Sequence, residues 1–285
     1  MVDTFLMEEV CYALKRCHRE RTKTAIPRIQ PCSTRTRSYN SFVISHYYLS
    51  PHLDDAVLSC GGLIIKQTSV GEPVTVVTIC AGDPPPGSFS AFALELHARW
   101  DLGQAPVAAR RTEDREACDH LRASTVHLDI PDAVYRKGSE GEALYLSEAV
   151  LIGSIHPEEK ELVDRLAIML ADVCPSEARL YCPLTIGGHV DHRLTRRSAE
   201  LLGRQLWYFH DLPFAARDGR IPTDFARPMG DEATMQLTSE EIEAWAAAVA
   251  LYRSQISTFW PETEAIRDEL LNFHHASGGF KLIKP

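Results

Sequence analysis

A chain of 285 residues, 45% hydrophobic and 24% charged, has the composition of an ordinary globular protein and enough length for a substantial core. Its formal net charge of −9 argues against a nucleic-acid-binding body, which carries a basic face. No apolar stretch reaches the roughly 18 residues of a membrane span, so a small-molecule partner is expected, with no nucleic acid and no transmembrane segment. Eight cysteines lie scattered without a CxxC pair and read as free, buried thiols. A reducing, cytoplasmic location is the matching expectation; an oligomer is compatible with the sequence but not readable from it.

Residues 1–40 differ from the remainder. Between Cys11 and Asn40, Lys15, Arg16, Arg19, Arg21, Lys23, Arg28, Arg35 and Arg37 face a single acid, Glu20, and no apolar run of a secretory signal follows. This segment reads as a mobile basic extension ahead of one domain at 41–285. Phe42 to Ser50 is β-branched and aromatic, hence a strand. It breaks at Pro51, and Ala56 to Val70 reads as a helix carrying the pair Gly61-Gly62. Val74 to Cys80 is a continuous apolar run typical of a buried parallel strand. The proline-rich loop 83–87 is expected to rim a pocket.

Val107 to Leu121 then reads as an amphipathic helix and Thr125 to Ile130 as a strand. Residues 131–157 form an irregular excursion before a helix from Glu158 to Val173. Arg179 to Pro183 is a strand, His192 to Gly203 a helix, Leu206 to Phe209 a strand. A last helix spans Ser239 to Ser254, with Thr238 or Ser239 as its N-cap. The alternation predicts an α/β fold: a Rossmann-like, mostly parallel sheet with helices on both faces, plus a C-terminal helical region. Ligand sites in such sheets gather at the carboxyl ends of strands.

Two segments fall there: Ser50-Pro51-His52-Leu53-Asp54-Asp55 and Gly187-Gly188-His189-Val190-Asp191-His192. Two histidines and a carboxylate suit Zn²⁺ and leave one position for water. A further Asp and His form a pair that moves protons. Asp54 and Asp55 are adjacent, so their side chains diverge, and an Asp-Asp here also suits a helix N-cap. Neither segment is specific alone; two at equivalent strand ends point to a metal-dependent hydrolase.

Together SPHLDD and GGHVDH resemble the motif pair of the PIG-L, or LmbE-like, superfamily of zinc-dependent N-deacetylases. That family acts on N-acetylglucosaminyl groups in phosphatidylinositol, mycothiol and bacillithiol precursors and on some glycosylated antibiotics. The resemblance covers roughly residues 42–260 and includes Arg110-x-x-Glu113, Ile130-Pro-Asp132-Ala-Val-Tyr135-Arg136 and Tyr252-Arg-Ser254-Gln255. The family's first motif is His-Pro-Asp-Asp-Glu; Leu53 and Ala56 depart from it, which alters the shell around the site and bears on substrate class more than on the reactive side chains.

The resemblance implies that His52, Asp55 and His192 hold Zn²⁺, with Fe²⁺ as the other suitable ion. It makes Asp54 the general base and a protonated His189 the general acid or oxyanion partner, either of them supplying the leaving amine's proton. Asp191 would orient a flanking imidazole, and Arg110 and Asp132 would contact substrate. The implied reaction is removal of an N-acetyl or other acyl group from an amino sugar or N-acetylglucosaminyl conjugate. The rivals are a zinc amidase acting on a thiol or other small-molecule conjugate and a catalytically silent glycan or metabolite binder. Trp207, Phe259 and Trp260 read as core before sugar platforms, and His97, His120, His127, His156, His274 and His275 as structural or surface residues.

Overall fold

The computed structural model describes residues 44–100, 105–217 and 219–285; the basic extension expected over 1–40 lies outside them. Seven strands share one sheet: β1 (His46–Ser50), β2 (Val74–Thr78), β3 (Ser124–His127), β4 (Arg179–Pro183), β5 (Leu206–Phe209), β6 (Glu232–Met235) and β7 (Phe280–Ile283). Their order is β3-β2-β1-β4-β5-β7-β6. The first five run parallel, as the alternating pattern predicts. The sheet is mostly parallel, as expected, with an antiparallel far edge in which β7 pairs with both β5 and β6; β6 and β7 are short strands absent from the sequence reading.

Tyr48 and Leu49 point to opposite faces of β1, and both are fully buried. The sheet is therefore covered on both sides, which is why its central strands read as unbroken apolar runs. One face packs Tyr48, Val76 and Tyr181 against helices α1 (Asp55–Ser69), α3 (Pro106–His120), α7 (Ser239–Val249) and α9 (Glu264–Ala276). The other packs Leu49, Val77, Leu180 and Cys182 against α5 (Lys160–Val173) and α6 (Val190–Glu200). Cys60, Cys80, Cys118, Cys174 and Cys182 are free and buried, as expected. Among the described residues no helix is long and apolar enough to cross a membrane.

The glycine pair has a packing reason. A side chain at Gly61 would overlap Trp245, and one at Gly62 would overlap Leu237 and Trp245. Their absence lets α7 lie close on α1, and the Trp245 indole N–H then donates to the Val57 carbonyl at 2.8 Å. Helix α7 starts with the expected Thr238 cap, completed by Glu241 into a capping box. It stops at Val249 rather than Ser254. Glu113 takes both the amide N–H and the hydroxyl of Ser254, at 3.0 and 2.6 Å. A new short helix, α8 (Arg253–Phe259), departs from there.

Three more helices were not foreseen, α9 among them. Helix α2 (Ala91–Trp100) buries Phe92, Ala93, Leu96 and Trp100 along one face. Helix α4 (Glu148–Leu151) is a single turn inside the 131–157 excursion.

Candidate active site

Strands β1 and β4 are parallel neighbours, yet the helices that follow them, α1 and α6, pack on opposite faces. A crevice opens between their carboxyl ends for that reason. The β1–α1 turn delivers His52, Asp54 and Asp55; the β4–α6 turn delivers His189, Asp191 and His192. Gly187 and Gly188 have φ of +91° and +77°, a left-handed bend that glycine adopts without steric cost. That bend sets His189 at the N-cap of α6.

The ligand atoms of His52, Asp55 and His192 lie within 4.8 Å of one another. Asp55 Oδ2 is 3.0 Å from His52 Nδ1 and 3.2 Å from His192 Nε2. Each imidazole is fixed from behind through its other nitrogen. His52 Nε2 donates to Asp191 Oδ2 at 3.0 Å, and His192 Nδ1 donates to Asp211 Oδ1 at 2.7 Å. Carboxylates placed behind metal-binding imidazoles fix the tautomer in this way. Asp191 is itself held by the Ala133 amide at 3.0 Å and by Arg136, which also binds Glu159.

Charge tells the same story. Burial works against a proton on His52, but Asp132, Asp191 and Asp55 hold its pKa well above the usual imidazole range. Burial likewise opposes a charge on His192, yet Asp55 and Asp211 push it up to about 10. The pocket thus draws positive charge to the place where three ligand atoms converge. A divalent cation answers the same demand and displaces those protons. The donor set fits such an ion.

Asp54 is not a cap. Its side chain makes no bond to the helix start, and the Ala56 amide is taken by Ser50 Oγ at 2.9 Å. The carboxylate faces the cavity, 3.5 Å from the Arg110 guanidinium. Burial raises its pKa to about 6, with Arg110 opposing, a value suited to proton exchange near neutrality.

His189 is oriented by the helix it caps. Its Nδ1 faces the Asp191 amide N–H at 3.2 Å. An amide N–H only donates, so Nδ1 must accept, and the ring proton sits on Nε2. Burial and the neighbouring His52 hold its pKa down to about 3. In this geometry the imidazole offers an Nε2–H as a donor, a position consistent with the oxyanion partner expected of it. Asp191 is fully buried, 3.0 Å from His52 but 4.0 Å from His189. It positions the former and does not face the cavity.

The enclosing cavity holds about 430 Å³, within the range of small-molecule sites. Arg110 and Asp132 both line it, as expected. Arg110 lies over Trp100 at 4.9 Å with its buried Nε unpartnered; Asp132 Oδ1 accepts from the Val134 amide at 3.2 Å. Loop 83–87 does not line this cavity: Pro84 and Pro85 border a neighbouring one, correcting the rim assignment. Of the three aromatics weighed as platforms only Phe259 reaches the cavity; Trp260 is buried in the core, and Trp207 sits under Arg179. Leu53 and Ala56 are 2% and 0% exposed and do not line the cavity; Leu53 packs behind its wall with Phe92, Leu96, Trp100 and Leu151, and Ala56 lies in the core against the sheet. His127 and His97 are structural, bonded to Asp114 and Tyr135 at 2.7 Å each.

Asp211 escaped the sequence reading. It stands two residues past β5, the strand beside β4, and an acid just beyond a parallel strand was the available signal.

A family model described as PIG-L: GlcNAc-PI de-N-acetylase matches residues 47–202. Among curated proteins, the chain is similar to 2'-N-acetylparomamine deacetylase of Niallia circulans, 27% identical over 183 residues, 59% of this chain and 66% of that protein. It is also similar to the 2'-N-acetylparomamine deacetylase of Streptomyces fradiae, 32% identical over 184 residues, 62% of this chain and 60% of that protein. The chain therefore spans just under two thirds of these curated relatives. Among solved structures, the zinc-inhibited form of teicoplanin deacetylase Orf2 aligns at 25% identity and TM-score 0.69, over 85% of this chain and 98% of that one. The A40926 pseudoaglycone deacetylase Dbv21 aligns at 27% identity and TM-score 0.65, over 84% and 95%.

Proposed function

The chain belongs to the PIG-L family of de-N-acetylases, and from that premise we propose that it is a metal-dependent hydrolase removing an N-acyl group, acetyl first of all, from an amino sugar or its conjugate. The observation that carries this reading is the convergence of His52, Asp55 and His192, each imidazole backed by a buried carboxylate, with Asp54 and His189 lining the same cavity. The relatives' names, deacetylases of N-acetylparomamine and of teicoplanin, support the substrate class. Free buried thiols support a cytoplasmic setting.

Zn²⁺, or Fe²⁺, held by His52, Asp55 and His192 would supply a Lewis acid that polarises the amide carbonyl and lowers the pKa of water toward about 7. Asp54 takes the proton of the attacking water as its oxygen bonds to the carbonyl carbon. Negative charge then gathers on the former carbonyl oxygen, and the His189 Nε2–H donates a hydrogen bond to it. When the C–N bond breaks, the proton stored on Asp54 passes to the departing nitrogen, leaving a carboxylic acid and an amine, which exchange a proton to end as carboxylate and ammonium. A carboxyl with pKa near 6 serves both transfers. With His189 Nδ1 accepting from the Asp191 amide and its Nε2–H turned to the oxyanion, the amine's proton on this reading passes through Asp54.

Asp54→Asn tests this assignment. The variant is expected to keep its metal and to release amine from N-acetylated amino sugars at least about a hundredfold more slowly. Near-normal turnover would remove Asp54 from the reaction.

A further inference from the structure

The cavity has two unlike sides. Its floor carries imidazoles and carboxylates, whereas the wall supplied by α2, α4 and α8 is apolar. Phe92, Leu96 and Trp100 line it from one face of α2, Leu151 from the end of α4, and Phe259 from the end of α8, with Phe214 beside His192. Charges border this wall at two places: Arg99 donates to Glu148 at 2.9 Å, bridging α2 and α4, and Arg110, lying over Trp100, is 3.5 Å from Asp54 on the floor. Gln255 and Thr258 are its polar exceptions, and the Gln255 amide already donates to Ser254 at 3.0 Å. Ile152, 58% exposed, carries the apolar surface out to the mouth.

A sugar ring on this wall can lay its C–H face on an aromatic side chain, but the ring-edge hydroxyls turned toward Leu96, Leu151 and Phe92 would be buried without hydrogen-bond partners, which is costly. An apolar group in the same place gains free energy by leaving water. A bare N-acetyl sugar engages the floor and leaves the wall wet, so the wall is unexplained by deacetylation of a free sugar.

We infer that the preferred substrate carries an apolar group, the size of a short alkyl chain or an aromatic ring, close to the scissile amide, and that the α2–α4–α8 wall receives it. The inference rests on the deacylase reading of the same site. The same chemistry arises from two sources, an acyl chain longer than acetyl or an apolar aglycone.

Three substrates separate them: N-acetylglucosamine, N-hexanoylglucosamine, and phenyl 2-acetamido-2-deoxy-β-glucoside, each followed by amine release with the metal-loaded enzyme. One apolar substrate is expected to exceed N-acetylglucosamine in kcat/KM by roughly tenfold or more, and which one does so places the group on the acyl or the aglycone side. Equal or lower values for both overturn the inference and leave the deacetylase reading standing. Amine from none of the three overturns the deacetylase reading instead. Calorimetric binding of phenyl β-glucoside against methyl β-glucoside then decides the wall alone: tighter binding of the phenyl compound supports it, equal binding refutes it. Ile152→Asp, at an exposed position that tolerates polarity, is expected to narrow the apolar preference in whichever measurement reveals it; an unchanged preference contradicts the placement.

Discussion

At the amino end of β1, His46 shares hydrogen bonds with Tyr181, Gln67 and Glu72; past its carboxyl end, His52 shares them with Asp55 and Asp191. Both imidazoles are largely buried and both sit where β1 meets β4. In the first cluster Gln67 joins Tyr48, Tyr181 and His46 through neutral contacts of 2.8–3.1 Å, and the two tyrosine rings stack at 4.1 Å. Its one carboxylate, Glu72, is partly exposed, and burial lowers the His46 pKa. In the second cluster several carboxylates overcome burial and lift His52 and His192. Buried hydrogen bonding is common to both. What separates a site from a brace is a surplus of one charge sign beside a cavity.

Substitutions in the two clusters are expected to have unequal effects. The largest effect is expected for His192→Ala: loss of stoichiometric metal and of amine release, because two remaining donors do not complete the ligand set. Metal retained at full occupancy would show that the ion, if any, sits elsewhere. A smaller change comes from Asp211→Asn, which keeps the shape but weakens the support behind His192; metal affinity should fall about 10- to 100-fold. An unchanged affinity would mean that the carboxylate only fills space. The smallest functional effect belongs to the other cluster. Gln67→Ala should cost about 1–3 kcal/mol of stability in chemical denaturation by stranding its buried partners, with metal affinity and turnover as before. If it weakened metal binding as Asp211→Asn does, the two clusters would not be separate.

How much of this was legible depended on whether a residue's partners were near in sequence. His52, Asp54, Asp55, His189, Asp191 and His192 sit in two dense segments bounded by Pro and Gly, and strand alternation put both at the carboxyl ends of strands. Asp211 has no such company, since its partner His192 reaches it only across the β4–β5 pairing. The roles within the segments were less readable. That Ser50 and not Asp54 caps α1, and that a backbone N–H fixes the His189 tautomer, are facts of local geometry. Strands β6 and β7 were missed because four-residue antiparallel strands exist through their pairing more than through a pattern of their own. The apolar wall was half visible: Phe92, Ala93, Leu96 and Trp100 follow helical spacing in the sequence, but only the fold turns that face toward the site.

The central claim is that His52, Asp55 and His192 hold an ion on which hydrolysis depends. It is tested most directly by stripping the protein with a chelator and following amine release as Zn²⁺ is returned. Turnover is expected to vanish on removal and to recover in step with the added ion, complete near about one equivalent. Full turnover by protein verified to be metal-free would contradict it.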